Sequence, residues 1–290
     1  MIKNQPKYKK LFLLCFIFSS ILAKGQSIPL NEQEKTYGIP IDNSCQAKYS
    51  DERVKFLIFH YTACNLPVSI QILCHGNATH QVSSHYLVSD QGGKIYSFVE
   101  EHQRAWHAGS SNWENRINLN DTSIGIEIVN LGFKKTPKEI TWYPFNEGQI
   151  QSIIQLAKGI IEKYKISPFY VLGHSDIAPN RKEDPGPLFP WRRLAKHGIG
   201  MWYDEDQVRE ETFSLRARLE PISIAEIQKN FKEYGYAIEP TGIVDDQTKN
   251  VIKVFQMHFR PINHSGNLDY ETIAILRNLL KKKNEIIANK

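Results

Sequence analysis

Apolar residues in this chain repeat with two periods, and the change from one to the other marks out the elements. Val54-Lys55-Phe56-Leu57-Ile58-Phe59 is a short run rich in aromatic and β-branched side chains, which predicts a strand with His60 at its end. His85-Tyr86-Leu87-Val88-Ser89 and Lys94-Ile95-Tyr96-Ser97-Phe98-Val99 flank Asp90-Gln91-Gly92-Gly93, whose turn-forming residues predict a hairpin. In the run from Ser123 to Val129 the isoleucines at 124, 126 and 128 share one face of a strand, so Glu127 is directed to the other. From 147 to 165 the spacing lengthens, and Ile150, Ile153, Ile154, Ala157, Ile160, Ile161 and Tyr164 form one helical stripe. Phe169-Tyr170-Val171-Leu172 then reads as a buried strand that leaves His174 just past its C-terminal end. This alternation predicts an α/β domain with a mixed central sheet flanked by helices.

Beyond Trp202 the chain turns polar and charged, which predicts a linker over 206–221. Residues 222–284 carry three more helical stripes, with Ile224, Ile227, Phe231 and Tyr234, then Val251, Val254 and Phe255, and finally Ile273, Leu276, Leu279 and Leu280. They predict a small all-α three-helix C-terminal domain.

The N-terminus has a different character. Lys3, Lys7, Lys9 and Lys10 precede an apolar run from Leu11 to Leu22 that is too short for a comfortable membrane span. With Ala23 and Gly25 placed as a signal peptidase requires, residues 1–25 read as a secretory signal and 26–205 as the main domain; an uncleaved anchor is the alternative. Removing the signal takes away five lysines and no acidic residue, so the formal charge of +5 falls to zero. The basic balance therefore belongs to the signal and gives no argument for a nucleic-acid partner, and none is expected. Cys15 follows Leu14, which makes a poor acylation site, so membrane association is expected only if the signal is uncleaved or lipidated. Cys45, Cys64 and Cys74 remain in an exported chain, where disulfides are permitted, and Cys64 with Cys74 is the nearest pair in sequence.

The candidate chemistry gathers on one loop. Gly173-His174-Ser175-Asp176 leads through Arg181-Lys182-Glu183 to Asp184-Pro185-Gly186-Pro187, where the prolines and glycine restrain and turn the backbone. His60 and His174 with Asp184 make a nitrogen and oxygen ligand set that suits zinc with a fourth position open. Such an ion lowers the pKa of bound water to about 7 and polarises a carbonyl under attack. Glu127, on a neighbouring strand, is placed to carry the proton, and Lys182 to stabilise an oxyanion. Each residue taken singly has a plainer use: a strand-end histidine hydrogen-bonds, an Asp before Pro-Gly-Pro makes a turn, and lysines are solvated. Trp106-His107-Ala108-Gly109 sets an aromatic and a histidine before small residues, as a carbohydrate or peptide groove requires, and substrate contacts are expected from Tyr61, Trp106, His107, Asn130 and Arg181. His75 and His80 read as loop residues, His85 as a core or cleft residue, and His258 and His264 have no partner ligands near them in sequence.

Taken together, Phe59-His60-Tyr61-Thr62-Ala63, Trp106-His107-Ala108-Gly109, Ser123-Ile124-Gly125-Ile126-Glu127 and the loop from Gly173 to Pro187 resemble the zinc-dependent N-acetylmuramoyl-L-alanine amidases that share a fold with peptidoglycan recognition proteins. Asn120 to Glu127 and Asp176 to Trp191 look closest to the periplasmic type of that family, and Gln256 to Pro261 with the surrounding stripes look like its small peptidoglycan-binding domain. The resemblance implies zinc ligands at His60, His174 and Asp184, a catalytic glutamate at Glu127 and an oxyanion lysine at Lys182. It also implies cleavage of the amide between the lactyl group of N-acetylmuramic acid and L-alanine, with peptidoglycan or muropeptides as partners, in the periplasm or at the outer membrane, by a monomer. A non-catalytic peptidoglycan-binding protein on the same fold is the rival reading, and Asp184 with Glu127 speaks against it. A zinc endopeptidase acting on peptide crosslinks is a third, allowed by the chemistry alone.

Overall fold

The computed structural model of this chain describes residues 37–45, 47–76, 81–219 and 221–289. The expected signal over 1–25 and His80 lie outside the described residues. Residues 1–50 group as one unit, and the elements below belong to a second unit, residues 51–290.

Strand β1 (Phe56–Tyr61) is followed by α1 (Leu66–His75), capped by the Asn65 side chain, and by the hairpin β2 (Tyr86–Val88) and β3 (Ile95–Ser97). A small ribbon, β4 (Asn112–Trp113) with β5 (Arg116–Ile117), leads into β6 (Ser123–Ile128). A second ribbon, β7 (Phe133–Lys135) with β8 (Ile140–Trp142), precedes α2 (Glu147–Tyr164). Asn146 and Gln149 close the N-terminus of α2 with a reciprocal capping box. The predicted strand over 169–172 is divided, with a 3-10 turn over Pro168–Tyr170 and β9 at Val171–Gly173. Proline at the start of the turn, with its fixed φ, favours that conformation over an extended one.

The five-stranded sheet runs β3-β2-β6-β1-β9, with β1 parallel to both β6 and β9, β2 parallel to β6 and β3 antiparallel to β2. It is the mixed sheet the sequence predicts. Leu57 and Phe59 of β1 share a core with Ile124, Ile126 and Ile128 of β6 and with Ile153, Ile154, Ala157 and Ile160 of α2. The alternate residues Phe56 and Ile58 belong to a different core.

That second core is completed from the far end of the chain. After α3 (His174–Ile177) and α4 (Trp191–Lys196) come α5 (Glu205–Arg218), α6 (Ile224–Tyr234), α7 (Asp246–Phe259) and α8 (Tyr270–Ala288). Residues expected to form a linker over 206–221 thus fold as α5 up to Arg218, with Val208, Thr212 and Leu215 buried. The long polar face of α5 hid a narrow apolar one, because Val208 and Leu215 lie seven residues apart on one stripe. Phe56, Ile58, Phe169 and Leu172 join Phe231, Tyr234, Val251, Phe255 and Leu276 in one contiguous cluster. The ring of Trp113 meets those of Tyr234 and Tyr236 at 5.9 and 4.9 Å between centroids.

Cys45, Cys64 and Cys74 are free thiols. A Cys64–Cys74 bridge is ruled out by α1, which lies between Cys64 and Cys74 for most of its length; a helix rises about 1.5 Å per residue, and a disulfide needs Cα atoms within about 7 Å.

Candidate metal centre and active-site cleft

The site grows out of the register between β1 and β6. His60 is paired directly with Glu127 on the adjacent parallel strand, so the two side chains emerge side by side from one face. His174 begins α3 immediately after β9, the other neighbour of β1. The loop beyond returns and is fastened where Ser175 N–H donates to the carbonyl of Asp184 at 2.8 Å. Three groups separated by up to 124 residues in sequence therefore converge.

His60 Nδ1, His174 Nδ1 and Asp184 Oδ2 form a triangle with every side 3.0 Å, and all three residues are buried. Protons cannot satisfy all three sides: the carboxylate oxygen only accepts, so both nitrogens would have to donate to it, leaving the nitrogen–nitrogen side a contact between two donors. A cation can, because atoms so spaced each lie about 2 Å from a common centre, the length of a zinc–nitrogen or zinc–oxygen bond. These are the described His, Cys, Asp and Glu residues that could hold a metal ion. Burial, followed by the charge of His174, lowers the His60 pKa to about 4, so the imidazole is neutral and able to ligate. Burial opposes ionisation of Asp184, but its interactions with His174 and then His60 outweigh it and hold the carboxylate well below its usual range.

Glu127 sits beside this triangle with Oε2 buried and without a hydrogen-bond partner in the protein. Burial and the charge of Asp184 push its pKa up to about 8, against the pull of Lys182. A carboxyl poised near neutrality is matched to accepting and returning a proton. Glu127, Lys182, His174 and Asp184 all line a cleft of about 620 Å³.

The five expected substrate contacts separate. Tyr61 and Trp106 line the cleft, and Trp106 is 48 % exposed with the Arg104 guanidinium over its ring at 4.0 Å. Arg181 also lines it, but its Nε and Nη2 donate to the carbonyls of Ala108 and Ser110 at 2.6 to 3.0 Å. Asn130 does not line the cleft, and its assignment is corrected. It donates to the carbonyls of Tyr143 and Pro144 and accepts from Gly132 N–H, because a buried amide is worth more as a clamp across two loops. His107 reaches the cleft wall but is nearly buried, and both ring nitrogens are engaged by protein groups. A groove contact needs a free polar atom, and His107 has none.

Sequence reasoning missed Asn250, Lys253 and Val254 of α7, which form part of the cleft wall. Lys253 pairs with Glu183, and Asn250 Nδ2 donates to Asn180 Oδ1 at 3.1 Å, so α7 grips the loop that carries Lys182 and Asp184. A signal was present: Val251, Ile252, Val254, Phe255, Met257 and Phe259 make α7 apolar nearly all round, as in a helix packed on more than one side. It missed Asp176 too, which is buried, accepts from Tyr236 O–H at 2.6 Å and from Gly173 N–H at 2.8 Å, and bonds His258 Nδ1 at 2.8 Å. His258, without partners in sequence, has this one in space.

A buried two-histidine, one-aspartate cluster beside the parallel strands of a mixed sheet is a donor set that could hold a catalytic metal ion. Residues 50–187 match the N-acetylmuramoyl-L-alanine amidase family, and residues 223–276 match the putative peptidoglycan binding domain. N-acetylmuramoyl-L-alanine amidase AmiD of Escherichia coli (strain K12) is 44% identical over 253 residues, which is 84% of this chain and 89% of that protein. The chain belongs to the N-acetylmuramoyl-L-alanine amidase family. The structure of E. coli AmiD complexed with the substrate anhydro-N-acetylmuramic acid-L-Ala-D-gamma-Glu-L-Lys superimposes with a TM-score of 0.77 at 41% identity, covering 87% of this chain and 97% of that one. AmpDH3 of Pseudomonas aeruginosa, in complex with anhydromuramic pentapeptide, superimposes with a TM-score of 0.76 at 41% identity, covering 84% of this chain and 99% of that one.

Proposed function

We propose that this enzyme hydrolyses the amide between the lactyl group of N-acetylmuramic acid and the L-alanine of the stem peptide, using zinc held by His60, His174 and Asp184. The observation that carries the reading is the 3.0 Å triangle of ligand atoms beside a glutamate whose buried Oε2 has no partner within the protein. When bound, zinc supplies Lewis-acid polarisation of the amide carbonyl and makes water acidic enough to attack at neutral pH. Glu127 takes the proton of the attacking water and returns it to the departing amine, so the stem peptide leaves with a neutral α-amino group. Lys182, whose charge is felt at both His60 and Glu127, balances the negative charge that develops on the carbonyl oxygen. Tyr61 and Trp106, on the cleft wall, bind the sugar and peptide on either side of that carbonyl.

The substrate named in the AmiD complex and the anhydromuramic pentapeptide in the AmpDH3 complex support an anhydromuramyl peptide as one substrate, and the matched binding domain supports attachment to the wall. The amidase family membership supports a role in cell-wall turnover, and the basic and apolar N-terminus supports export. No helix among the described residues is long and apolar enough to cross a membrane.

The test is to incubate the zinc-loaded protein with purified sacculi and with anhydromuramyl tripeptide and to identify the products by mass spectrometry. Stem peptides with a free L-alanine amine are expected. Products opened only at crosslinks would replace the amidase by an endopeptidase. Intact substrate, with zinc bound at one equivalent, would leave a binding protein.

A further inference from the structure

The segment Trp106 to Gly109 lies behind the metal ligands, and hydrogen-bond bookkeeping along it has a single solution. Ser123 Oγ is 2.6 Å from the carbonyl of Leu119, which can only accept, so the serine proton goes there. The contact between Ser123 Oγ and His107 Nε2 at 3.1 Å must then be made by a proton on Nε2. A neutral imidazole protonated at Nε2 has a bare Nδ1. That Nδ1 faces His60 Nε2 at 3.0 Å, so His60 carries its proton on Nε2 and keeps its own Nδ1 bare. The bare nitrogen is the one turned to His174 and Asp184.

We propose that His107 is a positioning residue for the metal: anchored by Ser123, it selects the His60 tautomer whose Nδ1 can ligate, while the neighbouring Ala108 carbonyl selects the same tautomer of His174. His174 Nε2 lies 3.1 Å from Ala108 O. Arg181 Nη2 is also near that nitrogen, at 3.2 Å, but it is a donor and is aimed at Ala108 O at 2.6 Å, so the two donors converge on one carbonyl. Asn120 Oδ1 holds the strap in place by accepting from the N–H groups of both His107 and Ala108, at 3.0 and 2.7 Å.

Strand β6 is cut to fit this strap. Its site face reads Ser123, Gly125 and Glu127, and a Cβ at Gly125 would fall 2.4 Å from His107 Cγ and 2.6 Å from Nδ1. No positive φ calls for glycine there; the ring of His107 does. Outer partners of this kind orient metal ligands and their loss typically costs 10- to 100-fold in metal affinity.

The inference rests on reading the cluster as a metal site, and one arm of its test needs no metal. In the full metal-free chain, long-range nitrogen–proton NMR of the histidine rings should show His60 and His107 both protonated at Nε2. A His60 ring protonated mainly at Nδ1 would overturn the proposal, whatever the protein binds. In the second arm, zinc affinity is measured by competition with a chromophoric chelator. His107→Ala and Gly125→Ala should each weaken zinc by about 10- to 100-fold. His107→Asn, which returns an oxygen acceptor near the Nδ1 position, should recover most of the affinity, provided the metal-free variants melt as the parent does. Unchanged affinity in His107→Ala would sink the idea, as would a failure of His107→Asn to improve on it. Should His107→Ala not fold, the ring NMR of the parent and the affinity of His107→Asn still decide the matter. A parent chain that binds no zinc would remove the metal reading while leaving the tautomer result to stand or fall alone.

Discussion

The two faces of the central sheet are made of the same two strands and do different work. On the α2 face, Leu57, Phe59, Ile124, Ile126 and Ile128 are apolar from end to end and are covered by a helix from the middle of the chain. On the opposite face, Phe56 and Ile58 are apolar and lie under helices from the last third of the chain, while at the strand ends Glu127 lines the cleft and His60 lies buried beside it. The covering helices there are held by buried polar bonds as well as by packing. Lys283 reaches Glu114 at 2.6 Å and the carbonyls of Glu233 and Tyr234, and Asp176 bonds both Tyr236 and His258. Apolar contact tolerates small slips, whereas hydrogen bonds fix register. The face that needs sub-ångström placement of ligands is the one so fastened.

The difference can be broken most severely by removing the second cover. A chain ending at residue 205 bares Phe56, Ile58, Phe169 and Leu172, and at roughly 2 kcal/mol for each side chain the loss rivals the total stability of a domain. It should show no cooperative thermal transition; a sharp melt for that fragment would mean that the helical part is only an appendage. On the site face, Glu127→Gln should lower kcat by about 10²- to 10⁴-fold while zinc content by atomic absorption stays at that of the parent. Loss of zinc instead would move Glu127 from proton transfer to ligation. On the scaffold face, Ile126→Ala should cost about 3 kcal/mol in denaturant unfolding and leave kcat nearly unchanged.

Asp176→Ala tests the fastening itself. It strands Tyr236 O–H, Gly173 N–H and His258, and should cost about 2 kcal/mol with a measurable fall in zinc affinity, since His174 lies two residues away. Stability loss with unchanged metal binding would separate the cover from the site. A further test is a pH dependence in the metal-free protein. Glu127 holds its proton up to about pH 8 when folded, against a reference of 4.5. The folded state therefore binds the extra proton between those values, so the stability it confers is complete below pH 4.5 and is lost as pH rises to 8. Thermal melts from pH 5 to 9 should show Glu127→Gln and the parent close together at the acid end, with the parent falling behind by roughly 10 °C at the alkaline end. Parallel curves would show that Glu127 titrates normally.

Periodicity made the scaffold face legible. Isoleucines at 124, 126 and 128 and the stripe from Ile150 to Tyr164 predict a strand and a helix that meet, and they do. His60, His174, Asp184 and Glu127 were legible as donor types at strand ends and on a stiff loop, and space brings them together. The polar run over 206–218 was misleading, because two buried aliphatics on one stripe are enough to dock a helix whose other faces are charged. Trp106 and His107 are adjacent in sequence and looked alike, yet one is half exposed at the cleft and the other is packed behind a ligand. Local pattern carries no information about which side of the site a strap passes.

By itself, then, the sequence determined the element types, the hydrolytic donor set and the family resemblance, since these depend on residue identity and short-range spacing. Only the tertiary structure decided that the C-terminal helices share the core beneath the site, that Asn130 is a loop clamp, that Cys45, Cys64 and Cys74 are unpaired and that His107 packs against His60. Those outcomes depend on contacts between residues tens to over a hundred positions apart, where a hydrogen bond's direction is set by three-dimensional placement rather than by anything written beside it in the chain.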